Sequence, residues 1–247
     1  MKKIFKLTVI IFCLAVFSCS KKEKDPSVEI DYIKAYKTLN DKGYSEAAKA
    51  FEKIEDDYPF SKWAAKSQTM AAYAYYKNGD YADVVRVVDD FVRINPSSEA
   101  LDYMFYIKAM SYFDQISAIS RAQDSAKEAS MIFRELIARF PQSQYSVDSR
   151  EKLIFVDEHL AGAKMSVGRY QISQENYVGA LKNFQEVVWR YRQTNQVAEG
   201  YYRLFEIYEK LGLKSEAQKS YDNLIAQYPQ SEWLKMAQKI KEKLGDD

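Results

Sequence analysis

The sequence predicts an all-α fold: a superhelical solenoid of five helix-turn-helix repeats closed by a C-terminal capping helix. Three observations predict it. Helix breakers are scarce, with 8 glycines and 5 prolines in 247 residues. Four of those prolines end helical runs, in DDYPFSKW (56–63), RINPSSEA (93–100), RFPQSQYS (139–146) and QYPQSEWL (227–234). Proline lacks an amide donor and stops the helix before it. The serine two positions on (Ser61, Ser98, Ser143, Ser231) is suited to N-cap the helix that follows. The third observation is the spacing ahead of each proline. A small apolar residue stands twelve positions before it and a larger apolar or aromatic residue eight before: Ala47 and Phe51, Val84 and Val88, Ala129 and Phe133, Ala217 and Tyr221.

A fifth copy, QENYVGALKNFQEVVWRYRQT, has Ala180 and Phe184 but Arg192 where proline would fall. The spacing matches the second helix of the tetratricopeptide (TPR) repeat, in which the small residue lets two helices approach and the ring fills the gap. The first helices are DYIKAYKTL, SQTMAAYAYYK, DYMFYIKAMSYF, KMSVGRYQI and YYRLFEIYEKL, all with helical apolar spacing. Gly79 in KNGDY and Gly212 in KLGLKSEA suit left-handed C-caps. The period is uneven. Extra residues fall near SAISRAQDSAKE (117–128), and the helix from about Ser146 to Gln174 is expected to run well beyond standard length. The expected repeats are about 29–60, 61–97, 98–142, 143–193 and 194–230, with a charged cap at 231–247, within a TPR domain spanning 29–247.

The N-terminus carries a different signal. Lys2, Lys3 and Lys6 precede an apolar run, Leu7 to Phe17, about half the length that spans a bilayer. This reads as a secretion signal over residues 1–18. VFSC resembles a lipobox, so Cys19 is expected to become the acylated first residue of the mature chain; the other reading is an ordinary signal with an incidental cysteine. Bacterial lipoproteins normally carry three acyl chains, against the marginal binding that one chain supplies. By the same resemblance, Ser20 after the cysteine points to the outer membrane. Residues 19–28 are expected to form a lipidated, flexible tether.

Little else suggests reaction chemistry. Cys13 leaves with the signal, so no thiol remains for nucleophilic, redox or zinc–thiolate use. His159 is the single histidine and reads as a packing or surface residue rather than a metal ligand. No GxSxG, P-loop or GxGxxG occurs. Acidic pairs such as Asp56–Asp57 and Asp89–Asp90 read as solvated faces. The formal charge of +1 gives no reason to expect a nucleic-acid partner. No catalytic residue, metal or cofactor is expected, and the chain reads as a binding protein rather than an enzyme; an envelope hydrolase is the weakest reading.

In a TPR solenoid the first helices line the concave surface. Taking Ala35, Ala72, Ala109, Gly168 and Phe205 as the position of closest approach, the groove positions fall about one turn away. Repeat 1 then presents Tyr32, Tyr36 and Leu39, and repeat 2 Thr69, Tyr73 and Tyr76. Repeat 3 presents Tyr103, Tyr106, Met110 and Phe113. Repeat 4 presents Met165, Arg169 and Ile172, and repeat 5 Tyr202, Glu206 and Glu209. The aromatic character is concentrated in the first three repeats and gives way to charge. These rings either pack between repeats or form a surface for an extended peptide with aromatic side chains, a use that suits tyrosine.

Longer stretches are more specific than the repeat pattern. YPFSKWAAKSQTMAAYAYYKNGDY (58–81), FVRINPSSEALDYMFYIKAMSYF (91–113) and FPQSQYSVDSREKLIFVDEHLAGAKMSVGRYQISQENYVGAL (140–181) resemble the BamD family, lipoproteins of the outer-membrane β-barrel assembly machinery. The resemblance spans nearly the whole mature chain in order. It implies five repeats anchored on the periplasmic face of the outer membrane. It implies that repeats 3–5 dock a POTRA domain of the barrel-forming central subunit, in company with accessory assembly lipoproteins, and that the N-terminal repeats receive unfolded outer-membrane proteins. Arg192 in place of proline and a short C-terminus depart from the pattern. The alternative is another periplasmic TPR lipoprotein that scaffolds envelope or cell-wall assembly.

Overall fold

The computed structural model describes residues 26–116 and 123–245. Cys19, the segment before it and the tether up to residue 25 lie outside the described residues. Eleven α-helices make up the described chain: α1 Pro26–Asn40, α2 Tyr44–Asp57, α3 Ala64–Asn78, α4 Tyr81–Ile94, α5 Leu101–Phe113, α6 Gln123–Arg139, α7 Gln144–Ser173, α8 Tyr177–Arg190, α9 Gln196–Lys210, α10 Lys214–Gln227 and α11 Glu232–Gly245. Each helix packs on the next, and α3, α5, α7, α9 and α11 also touch in succession. The odd-numbered helices therefore form the tighter, inner row, and the even-numbered helices the outer one. This is an all-α, TPR-like solenoid.

The small-then-large spacing builds the core. Ala47, Val84, Ala129, Ala180 and Ala217 are fully buried, as are Phe51, Val88, Phe133 and Phe184; Tyr221 is half-buried. Each buried ring stabilises by about 1.5–3 kcal/mol relative to exposure. One continuous apolar cluster runs from Val28 in α1 to Ala237 in α11, as expected of a stack whose repeats cannot bury their faces alone. The tightest of the described glycines is Gly168. A Cβ there would stand 2.6 Å from two atoms of the Phe184 ring, so α7 and α8 meet at a spacing only glycine permits.

Local stop signals act largely as the sequence implies. Gly79 caps α3 at φ 84° and Gly212 follows α9 at φ 71°, both left-handed. The Ser143 hydroxyl accepts the Tyr145 amide at 3.1 Å and caps α7. The Ser231 hydroxyl accepts the Leu234 amide at 3.1 Å just before α11. Ser61 and Ser98 act one step earlier than a cap. Their hydroxyls accept from Trp63 and Ala100, and a tight turn intervenes before α3 and α4's successor α5 begin at Ala64 and Leu101. The first helix also begins inside the expected tether. Pro26 opens it, where its missing amide costs nothing, and Val28 is buried against the core. Helix α7 is 30 residues long, or about 45 Å at ~1.5 Å per residue, and bridges the middle of the stack by packing on α5, α6, α8 and α9.

Candidate functional site

The concave face is built by the odd-numbered helices, and one turn of arithmetic narrows which side chains reach it. At about 100° per residue, the residue after each small position lies far from the buried line. Those three and four residues away lie much closer to it. Accordingly Tyr36 and Tyr73 are exposed, Tyr73 at 37%, and Met110 is half-buried. Tyr32, three before Ala35, is a core residue at 8% exposure. Its ring lies 5.3 Å from Phe51 and 4.7 Å from Trp63, so the groove reading does not extend to it. Leu39, Met165 and Tyr202 are buried for the same reason.

The remaining rings stand in two states at once. Tyr76, Tyr103, Tyr106 and Phe113 are half-buried. The Tyr76 hydroxyl donates to Asp114 Oδ2 at 2.6 Å, tying α3 to the end of α5. The Tyr106 hydroxyl donates to Asp148 Oδ2 at 2.7 Å, tying α5 to α7, and Lys152 Nζ holds the other oxygen of the same carboxylate at 2.7 Å. Burial and these carboxylate acceptors push both phenols well above their ordinary pKa, so they remain donors. Burial also raises Tyr103, which has Tyr145, Tyr73 and Tyr106 as electrostatic neighbours. The Tyr145 ring lies tilted at 5.4 Å from Tyr103 and 5.0 Å from Tyr106. The structure thus gathers Tyr103, Tyr106 and Tyr145 into one aromatic cluster across α5 and α7.

Tyr145 and Phe155 were not among the groove positions read from the sequence. Phe155 is 57% exposed and lies 5.5 Å from Phe113, continuing the aromatic strip onto α7. The repeat-4 register was set from Gly168, near the C-terminal end of α7, and did not project the first half of this long helix. In YSVDSREKLIF five polar residues separate Tyr145 and Val147 from Leu153, Ile154 and Phe155, so no apolar periodicity marks this half of the helix.

Beyond Phe155 the concave face is ionic. Arg169 on α7 donates to Glu199 on α9 at 3.0 Å, and Arg203 spans Glu199 at 3.3 Å and Glu206 at 2.9 Å. Arg203 also lies over the rings of Tyr202 and Trp233. Ile172 is half-buried, as is Glu209, whose carboxylate pairs with Lys214. His159 lies on α7 with Nε2 buried and without a hydrogen bond, and burial holds its pKa below the ordinary value. Among the described residues no group of three or more histidine, cysteine, aspartate and glutamate side chains is placed to hold a metal. What the face can offer chemically is apolar contact from Tyr36 to Phe155 and hydrogen bonding along its carboxylate edge.

A family model described as an outer membrane lipoprotein, YfiO, matches residues 24–222. The chain belongs to this family, that of BamD. It is 30% identical over 234 residues to the outer membrane protein assembly factor BamD of Caulobacter vibrioides, covering 92% of this chain and 77% of that protein. It is 33% identical over 202 residues to BamD of Rickettsia prowazekii, covering 82% and 80%. BamD of Neisseria meningitidis serogroup A is 30% identical over 221 residues, covering 85% and 83%. The matched span takes in every helix of the aromatic strip and of the ionic network. Among the described residues no helix is long and apolar enough to cross a membrane.

Proposed function

We propose that this member of the BamD family is a lipid-anchored scaffold of outer-membrane β-barrel assembly on the periplasmic face. Cys19 carries the acyl anchor. The half of the concave face from Tyr36 to Phe155 holds a segment of an unfolded outer-membrane protein. Repeats 3–5 meet a POTRA domain of the barrel-forming subunit and the accessory lipoproteins. The action is positional: polypeptides are held and released, and no bond is made or broken.

The observation that carries this reading is the unequal concave face. Exposed rings on α1, α3 and α7 flank half-buried ones on α5, all on the inner row of a scaffold whose relatives are named for outer-membrane protein assembly. Aromatic rings supply contact area at low entropy cost, and a strand presenting alternate aromatic side chains would find successive rings along the face. The ionic half suits a folded partner whose charged surface must be matched in register.

Photo-crosslinking in cells tests it. A crosslinker at Tyr73 or Phe155 is expected to capture unfolded barrel proteins, and one at Arg169 to capture a POTRA-bearing subunit. Barrel proteins that insert correctly after depletion of this chain would sink the assembly reading.

A further inference from the structure

The N-terminal end of the solenoid carries apolar side chains that neither the core nor the groove uses. Phe60, in the turn between α2 and α3, is 102% exposed, with no neighbour covering its ring. Ile30 and Ile33 stand exposed on α1, turned away from the buried Val28, Tyr32 and Ala35. A fully exposed phenylalanine and two exposed isoleucines in the first two hairpins call for an occupant.

Where the chain emerges identifies it. The Ser27 hydroxyl lies 3.4 Å from that of Tyr58, so the Tyr58–Trp63 turn that carries Phe60 sits against the first turn of α1. The anchor position, Cys19, precedes Pro26 by only seven residues. Fully extended, that length reaches at most about 25 Å. An acyl group at Cys19 therefore keeps this end of the solenoid next to the lipid surface. Cations flank the turn: Lys62 Nζ lies 5.1 Å from the centre of the Trp63 ring, and Lys66 Nζ stands 5.2 Å from Trp63 and 5.3 Å from Tyr32. Glu29 and Asp31 also lie at this end, the latter paired with Lys34 at 3.2 Å. Aromatic residues settle at the headgroup level of a bilayer, and lysines beside them extend to anionic headgroups.

We propose that the N-terminal end of the solenoid docks on a phospholipid surface, with Phe60 entering the interface, Ile30 and Ile33 adding apolar contact from α1, and Lys62 and Lys66 on anionic headgroups. The proposal rests on the reading of Cys19 as the lipid anchor. It adds that the anchor is not a loose leash: docking fixes the tilt of the solenoid, so the concave face has a set orientation to the membrane.

The test uses the full acylated chain in vesicles of phosphatidylethanolamine and phosphatidylglycerol. With Cys13 removed in the signal and Cys19 acylated, Phe60→Cys leaves one free thiol for an environment-sensitive fluorophore. Lys182→Cys, exposed on α8, is the comparison. Quenching by spin-labelled lipid is expected to be several-fold stronger at position 60 than at position 182. Equal quenching at the two positions, in protein that floats with the vesicles, would overturn the docking while leaving the anchor intact. A blue shift at position 60 that grows with protein concentration, without lipid quenching, would identify a second copy as the occupant and also overturn it. Protein that fails to float and has a free Cys19 thiol overturns the anchor reading itself, and the docking with it.

Discussion

The two halves of the concave face join their helices by different chemistry. In the N-terminal half, tyrosine hydroxyls reach carboxylates on the next inner helix, Tyr76 to Asp114 and Tyr106 to Asp148. In the C-terminal half the same job falls to a guanidinium–carboxylate pair, Arg169 to Glu199, and to Arg203, which pairs with Glu199 and Glu206 within α9 and lies over the Trp233 ring of α11. A tyrosine bracket leaves an apolar ring on the surface as well as a tied hydroxyl. An arginine bracket leaves charge. One backbone thus presents a greasy strip and an ionic strip in sequence, and the choice of bracket residue, rather than the fold, separates them.

If that is right, the core beneath the two halves should be interchangeable in energy. Phe133 lies under the first and Phe184 under the second, and both are fully buried. Either one changed to alanine is expected to lose about 3–5 kcal/mol of stability in urea denaturation. A loss confined to one of them would mean that the halves differ in packing too. The next largest effect is specific to the C-terminal half. Gly168→Ala would press a methyl onto the Phe184 ring, which a Cβ meets at 2.6 Å. It should cost about 1–3 kcal/mol. The corresponding small residues in the N-terminal half, Ala72 and Ala109, already carry that methyl.

The core was far more legible in the sequence than the surface. A ring eight residues before a proline, or before Arg192 in its place, falls where the paired helices meet, so Phe51, Phe133 and Phe184 could be placed without coordinates. Tyr32 could not. Whether a residue three positions from a close-approach alanine faces the groove depends on what the neighbouring repeat supplies, and for Tyr32 it is Trp63, from the turn before α3. Phe155 escaped because α7 has no internal break to reset the register. The brackets were invisible for a related reason: Tyr106 and Asp148 are 42 positions apart, and only the stacking of α5 on α7 joins them.

A smaller effect isolates the bracket from the ring. Tyr106→Phe keeps the aromatic surface and removes the hydroxyl, and should cost about 0.5–1 kcal/mol, because Asp148 is partly solvated. Burial pushes the Asp148 carboxyl up, but hydrogen bonds from Lys152 and Tyr106 outweigh it and hold its pKa below the ordinary value. A carboxylate whose folded pKa is depressed contributes stability above its unfolded pKa and loses it as pH falls through the folded one. The bracket's share should therefore be present at neutral pH, begin to fade as pH falls below about 4, and be gone once pH is below the depressed folded pKa. In Tyr106→Phe the Asp148 titration, followed by carboxyl NMR, should move up toward the ordinary range. An unmoved Asp148 would mean that Lys152 alone sets it.

The smallest change to the fold should produce the clearest division of function. Tyr73 and Phe155 are exposed and make no bracket, so Tyr73→Ala with Phe155→Ala should leave stability within about 0.5 kcal/mol per site of the parent, as surface substitutions do. If the rings are contact residues, each truncation removes interface area of the kind that dominates peptide binding, and affinity for an extended peptide with alternate aromatic residues should fall about tenfold per site. Arg169→Ala breaks the α7–α9 pair but removes nothing from the aromatic strip, so it should leave that affinity unchanged. Fluorescence anisotropy with one labelled peptide reads all three variants. Equal losses from the aromatic and ionic variants would mean that the peptide lies along the whole concave face and that the two halves are one site. A loss from Arg169→Ala alone would move the peptide to the ionic half and leave the exposed rings without a client.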